Sequence, residues 1–216
     1  MITTRFRRAA LAVAAAAVLP LALSACSSDD GSKDTRDSAS SVAPEESRGT
    51  ADDAAGPADQ PFGTACASVP KDGAGSFDGM SKDPVATAAS NNPALSTLVT
   101  AVKQAGLVDT LNNAQDITVF APTNDAFAKI PKADLDKVLA DKATLTKILT
   151  YHVVGEKLTP GQLANGTYPT LEKSTLTTKG SGESYTVNDS AKVVCGNVPT
   201  ANATVYIVDT VLMPTM

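Results

Sequence analysis

An apolar run from Ala9 to Leu23, interrupted by Pro20 and preceded by Arg5, Arg7 and Arg8, decides where the rest of this chain has to fold. It falls short of the roughly 20 apolar residues that span a bilayer comfortably. A basic start, a short apolar centre and small residues at its end describe a signal peptide, so the mature protein is expected outside the cytoplasm. Arg7-Arg8 is not a twin-arginine signal, because the residues around the pair do not match one.

The run stops at Leu23-Ser24-Ala25-Cys26, which resembles the lipobox of bacterial lipoproteins. The resemblance implies a leader over residues 1–25, cleavage before Cys26, diacylation of its sulfur and often acylation of the new N-terminus. Two or three acyl chains anchor stably where one is marginal. The expected partner is therefore the membrane, reached through Cys26, with the protein facing the extracytoplasmic side and open to release. The alternative is an ordinary signal peptide with a chance cysteine.

Residues 26–61 form the next unit. From Ser27 to Gln60 the chain is built of small, polar and acidic residues, and Val42 is its one larger aliphatic residue. Such a segment buries too little apolar surface to offset the entropy of ordering it. We read it as an acidic tether with a span of roughly 30–35 Å.

Removal of the leader leaves about 190 residues, room for one domain and a tail. Three of the 18 Lys+Arg depart with it, so 15 cations face 23 acids and the mature balance is −8. That excess argues against nucleic acid and against a basic membrane-docking patch. After Arg48 every cation is lysine, so the domain has no guanidinium fork for phosphate or carboxylate. One histidine, no tryptophan and two remaining cysteines leave few ligands for zinc or haem, and no metal or cofactor is expected. Outside the cytoplasm the pair Cys66 and Cys195 is most simply a disulfide. It would close a loop worth up to roughly 5 kcal/mol in the chain-entropy model. Two unpaired buried thiols are the other option.

The domain spans residues 62–216. Asp83-Pro84 and Asn92-Pro93 each have the form of an N-cap followed by a first-turn proline, the first opening a helix through Ala89. Leu95, Leu98, Val99 and Val102 recur at helical spacing, and Gly106 ends that helix. Asp116 to Ala121 is β-prone. Thr123-Asn124-Asp125 can cap a short helix bearing Phe127 that Pro131 terminates. Leu135, Val138 and Leu139 mark another helix, and Leu145, Ile148 and Leu149 a third, leading into Tyr151-His152. Beyond Val153 the texture is β, with strands expected over 168–171, 174–178, 185–188, 191–195 and 205–208. Gly180-Ser181-Gly182 and Asn188-Asp189-Ser190 are turns between them. Helices come first and strands second, with one early strand returning to the later sheet. That segregation indicates an α+β fold.

Three segments carry a family resemblance. Thr118-Val119-Phe120-Ala121-Pro122-Thr123-Asn124-Asp125-Ala126-Phe127 resembles the first conserved block of fasciclin (FAS1) domains. Tyr151-His152 stands where that family has its Tyr-His pair. Val205 to Pro214 resembles the second block, which closes the domain. With the lipobox, the tether and the flanking cysteines, the chain looks like the actinobacterial surface lipoproteins and secreted antigens of this family, the mycobacterial ones above all. The resemblance implies a single fasciclin domain, with N-terminal helices packed on mainly C-terminal strands.

Most residues of these blocks read as structural. Phe120, Phe127, Tyr151, Val205, Ile207, Val211 and Leu212 are core candidates. Asp209 interrupts an apolar run and needs hydrogen-bond partners if buried, from backbone amides or the Asn124 side chain. His152 has two readings. It is a packed core residue, or part of an interaction site, as implied by the animal relatives in which the Tyr-His region is tied to integrin-mediated adhesion.

No catalytic residue is assigned. A serine triad would have to use His152, and Gly180-Ser181-Gly182-Glu183-Ser184 reads as a hairpin and not as a nucleophile elbow. Paired carboxylates, a phosphate loop and a dinucleotide fingerprint are also missing from the pattern. The Asn-x-Ser/Thr triplets at Asn165, Asn188 and Asn202 read as surface turns and loops.

The resulting expectation is a monomeric, non-enzymatic surface lipoprotein. It would present its domain for adhesion or for contact with a protein, matrix or envelope partner. The alternative is a carrier for a small apolar or glycan ligand. A carrier needs an apolar cavity of several hundred Å³. An adhesion module calls instead for an exposed apolar or aromatic patch.

Overall fold

The computed structural model describes residues 60–214. The leader, Cys26 and all but the last two residues of the tether lie outside the described residues.

A 3-10 turn, Thr64–Ser68, opens the domain. Four helices follow: α1 (Phe77–Lys82), α2 (Val85–Ser90), α3 (Ser96–Ala105) and α4 (Val108–Asn113). Strand β1 (Ile117–Pro122) leads to α5 (Asn124–Ala128), α6 (Lys132–Ala140) and α7 (Lys142–Tyr151). Then come β2 (Val153–Val154), β3 (Asn165–Pro169), β4 (Thr175–Ser181), β5 (Ser184–Val187), β6 (Ala191–Pro199) and β7 (Ala203–Val208). The α+β order expected from the sequence is the one found.

The strands form one sheet in the order β2-β1-β7-β6-β5-β4-β3. β1 is the early strand that returns: it lies parallel to β7, with Val119 beside Val205 and Ala121 beside Ile207. The other pairings are antiparallel. A bridge between Val154 and Thr170, just past β3, links the two ends of the sheet and curls it toward a barrel.

Every residue of β1 and β7 is buried, as a strand pair covered on both faces requires. The period of two then sorts their side chains into two cores. Ile117, Val119 and Ala121, with Ala203, Val205 and Ile207, face the helices. Phe120, Tyr206 and Val208 face the opposite way, into a core closed by Tyr151, Leu158, Leu163, Leu176, Tyr185 and Val187. All seven core candidates named from the sequence are buried.

Local signals set several boundaries. The Asn92 side chain accepts the Ala94 amide at 3.0 Å ahead of Pro93. Gly106 ends α3 in the left-handed region, at φ 74°. Thr123 caps α5 by accepting the Ala126 amide at 3.2 Å. The Gly180–Ser184 stretch is the expected hairpin, with Ser181 opposite Ser184.

Two expectations fail here. Asp83 does not cap α2. It ends α1, and its carboxylate accepts from the Asn91 side chain. The first amides of α2 are satisfied from afar: Asn202 Oδ1 accepts the Val85 amide at 2.8 Å and Asn112 Oδ1 the Ala86 amide at 3.0 Å. Asn202, read as a surface residue, is 8% exposed. Its Nδ2 donates to the carbonyls of Leu111 (2.8 Å) and Ala114 (2.6 Å) where α4 ends, and that employment draws it inside.

Candidate functional site

The corner where α7 meets β2 holds the Tyr-His pair. Leu145, Ile148 and Leu149 seat α7 in the first core, which turns the C-terminal end of the helix inward. His152 is 2% exposed. Its Nε2 must be an acceptor, because the Leu212 amide donates to it at 2.9 Å. The proton therefore sits on Nδ1, which donates to the Ile148 carbonyl at 2.7 Å. Burial lowers the imidazole pKa from 6.5 to about 4, against a smaller opposing pull from the Ile148 carbonyl. At neutral pH the ring is uncharged and both nitrogens are occupied.

Tyr151 belongs to the second core. Its hydroxyl donates to the Thr175 carbonyl at 3.1 Å and accepts from Asn188 Nδ2 at 2.7 Å. Asn188 sits in the turn after β5 with φ 51°. Its Oδ1 takes the Thr177 amide at 2.9 Å. The amide nitrogen that a glycan would need is thus already engaged at Asn188, as it is at Asn202, whereas Asn165 is exposed.

Asp209 and Asn124 do not meet. The Asp209 carboxylate accepts the Lys192 amide at 2.8 Å, the Thr210 hydroxyl at 3.0 Å and Lys129 Nζ at 3.2 Å. Partial burial pushes its pKa up, but these donors together outweigh that and leave it below the usual carboxylate value. The backbone-amide partner expected from the sequence is present. The Asn124 partner is not, because that side chain bridges two helices: Oδ1 accepts the Thr97 amide at 2.9 Å and Nδ2 donates to the Pro93 carbonyl at 2.9 Å. Thr118, buried in the first block, is employed in the same way. Its hydroxyl donates to the Glu156 carbonyl and accepts the Leu158 amide, both at 2.8 Å.

Cys66 and Cys195 are bonded to each other, tying the opening turn to β6. Beside them Phe62 and Gly196 exchange two backbone hydrogen bonds, of 3.1 and 2.8 Å. The Phe62 ring lies against Tyr185 at 5.4 Å between centroids and Tyr206 at 6.4 Å.

Sequence reasoning missed Asn202. Its position directly before the mostly apolar β7 run was a signal for burial, though not for its partners. Among the described residues no group of three or more His, Cys, Asp or Glu could hold a metal ion. No described helix is long and apolar enough to cross a membrane.

Among the described residues, Leu171 and Met213 are the exposed large apolar side chains, at 41% and 47%. Both flank the Tyr-His corner: the Leu171 amide donates to the Val153 carbonyl, and Met213 follows Leu212, whose amide holds His152. Beneath α2 and α3 lies an apolar cavity of about 180 Å³. Val85, Ala88, Leu98, Val102, Val119 and Val205 are among its walls.

A Fasciclin domain model matches residues 93–214. Cell surface glycolipoprotein MPB83 of Mycobacterium bovis is 43% identical over 224 aligned positions, covering 99% of both chains. Immunogenic protein MPB70 of the same species is 52% identical over 147 positions, covering 66% of this chain and 75% of that one. A FAS1 domain pair from the insect cell adhesion molecule Fasciclin I superposes with a TM-score of 0.46 at 22% identity, over 55% of this chain and 45% of the other.

Proposed function

The chain belongs to the fasciclin family, and we propose that it is a cell-surface lipoprotein, anchored through Cys26, whose one domain acts by surface contact with a protein or envelope partner and not by catalysis. The leader, the Leu-Ser-Ala-Cys sequence and the acidic tether support the anchored, outward-facing placement. So does a relative named as a cell surface glycolipoprotein that matches this chain from end to end.

The observation that carries the non-catalytic half is the state of His152. General acid–base work by a histidine needs a free ring nitrogen and a pKa near the working pH. This one has neither. The contact points best supported are Leu171 and Met213, exposed apolar side chains whose backbones adjoin the buried Tyr-His corner. In this reading the pair shapes the surface from beneath and does not touch the partner. A carrier of glycans or drug-sized molecules has less support: the apolar cavity is about 180 Å³ and a second, more polar pocket beside Thr123 and Asn124 about 220 Å³, both below the roughly 300 Å³ where such pockets begin.

Cross-linking on intact cells tests the proposal. Three chains are compared: the native lipoprotein, Leu171→Glu/Met213→Glu, and a chain lacking residues 62–216. The native protein is expected to give discrete adducts that both altered chains lose. Adducts shared by all three would place the contacts in the tether and overturn the reading.

A further inference from the structure

The cavity beneath α2 and α3 begins in the sequence. Helix α2 reads Val85-Ala86-Thr87-Ala88-Ala89-Ser90, and its three alanines line the cavity opposite Val119 and Val205 of the sheet. Packed interiors hold few voids larger than a water molecule. A pocket of about 180 Å³ that reaches from the surface into the first core is far above that.

Water gains little there. A buried water needs about two to four polar partners. Several polar groups in the walls are committed: Asn92 Oδ1 to the Ala94 amide, Ser90 Oγ to the Ala86 carbonyl, and both nitrogens of His152 to Ile148 and Leu212. An apolar cavity of roughly 150 Å³ stays dry and takes up benzene or xenon. The rim is accessible, because Thr87 and Ser90 of α2 and Lys103 of α3 line the cavity and are exposed.

We propose that this cavity is a binding site for a small apolar molecule about the size of benzene, admitted between α2 and α3. The occupant fills the gap that the alanines leave and touches the side chains of Leu98, Val102 and Val205. Binding here needs no change at the surface bearing Leu171 and Met213. It adds to the contact function and does not depend on it.

Methyl-resolved NMR of the full chain, titrated with benzene, tests this site. The expected result is saturable shifts confined to the methyls around the cavity, Ala88, Leu98 and Val102 among them. The same titration is run on Ala88→Leu and on Ala89→Leu, the latter at a half-buried wall position. Each variant that folds should lose the shifts and keep or raise its melting temperature. Absence of saturable shifts at these methyls in the native chain would overturn the proposal. So would shifts that persist unchanged in a folded, filled variant.

Discussion

The Leu212 amide donates to Nε2 of His152 at 2.9 Å, across 60 residues of sequence. Through this bond the end of α7 holds the segment that closes the domain, and through Nδ1 the same ring caps the Ile148 carbonyl of its own helix. His152→Ala would leave a buried donor and a buried acceptor unpaired as well as a void. The expected loss is about 3 kcal/mol. His152→Gln, which keeps one donor and one acceptor, should lose clearly less. Urea denaturation of the two variants measures the difference, and equal losses would mean that volume alone matters here.

Asn202 makes a sharper prediction, because its two amide atoms have opposite partners. Oδ1 receives the Val85 amide, while Nδ2 faces the carbonyls of Leu111 and Ala114. Asn202→Asp keeps the shape but turns a donor into a charged acceptor among carbonyl oxygens. It should cost about 3 kcal/mol or more, at least as much as Asn202→Ala. Denaturant midpoints decide it, and a well-tolerated aspartate would show that the assigned amide orientation is wrong.

The opening segment is fastened at three adjacent points: the Cys66–Cys195 bond, the Phe62·Gly196 pairing and the fit of Gly63. Gly63 has φ 105°, and a Cβ there would stand 2.5 Å from the Val194 carbonyl oxygen, a backbone atom. Gly63→Ala should therefore cost about 1–3 kcal/mol. Replacing both cysteines by serine removes a cross-link between residues 129 apart in sequence. The chain-entropy model puts that loss at up to about 5 kcal/mol. Thermal unfolding with and without reductant checks the second figure: the native chain should lose stability on reduction, and the double serine variant should not respond.

Signals that act within a few residues are legible in the sequence. Asn92-Pro93, Thr123 and Gly106 each perform the local task their residue types suggest. Phe120, Val205 and Ile207 are buried, as their apolar runs suggest, and the return of β1 to the late sheet follows from the segregation of helices and strands. What cannot be read depends on partners far along the chain. Asn202 lies 117 residues from Val85, and nothing near it reveals that it caps α2. Asp83 misleads for the same reason, since an Asp-Pro pair advertises a cap whether or not a distant asparagine has taken the position. Helix α4 is six residues long with Leu111 its one buried residue, too short for a periodic signal. The Asp209–Asn124 contact expected from two neighbouring blocks fails on direction: the side chains leave their backbones toward Lys192 and toward α3.

Titration of His152 tests most directly the claim that the polar interior of this domain holds the fold and does no chemistry. The folded pKa of about 4 lies below the ordinary 6.5, so between those values the unfolded chain binds the extra proton. Stability contributed by the neutral ring is full above pH 6.5 and falls as pH drops toward 4, by up to about 3 kcal/mol. Nitrogen-detected NMR of the imidazole from pH 8 to pH 4 reads the ring itself. The account predicts the neutral Nδ1–H form down to about pH 5, with protonation setting in as the pH approaches 4. A ring that titrates between pH 6 and 7 in the folded protein, or that carries its proton on Nε2, would contradict it.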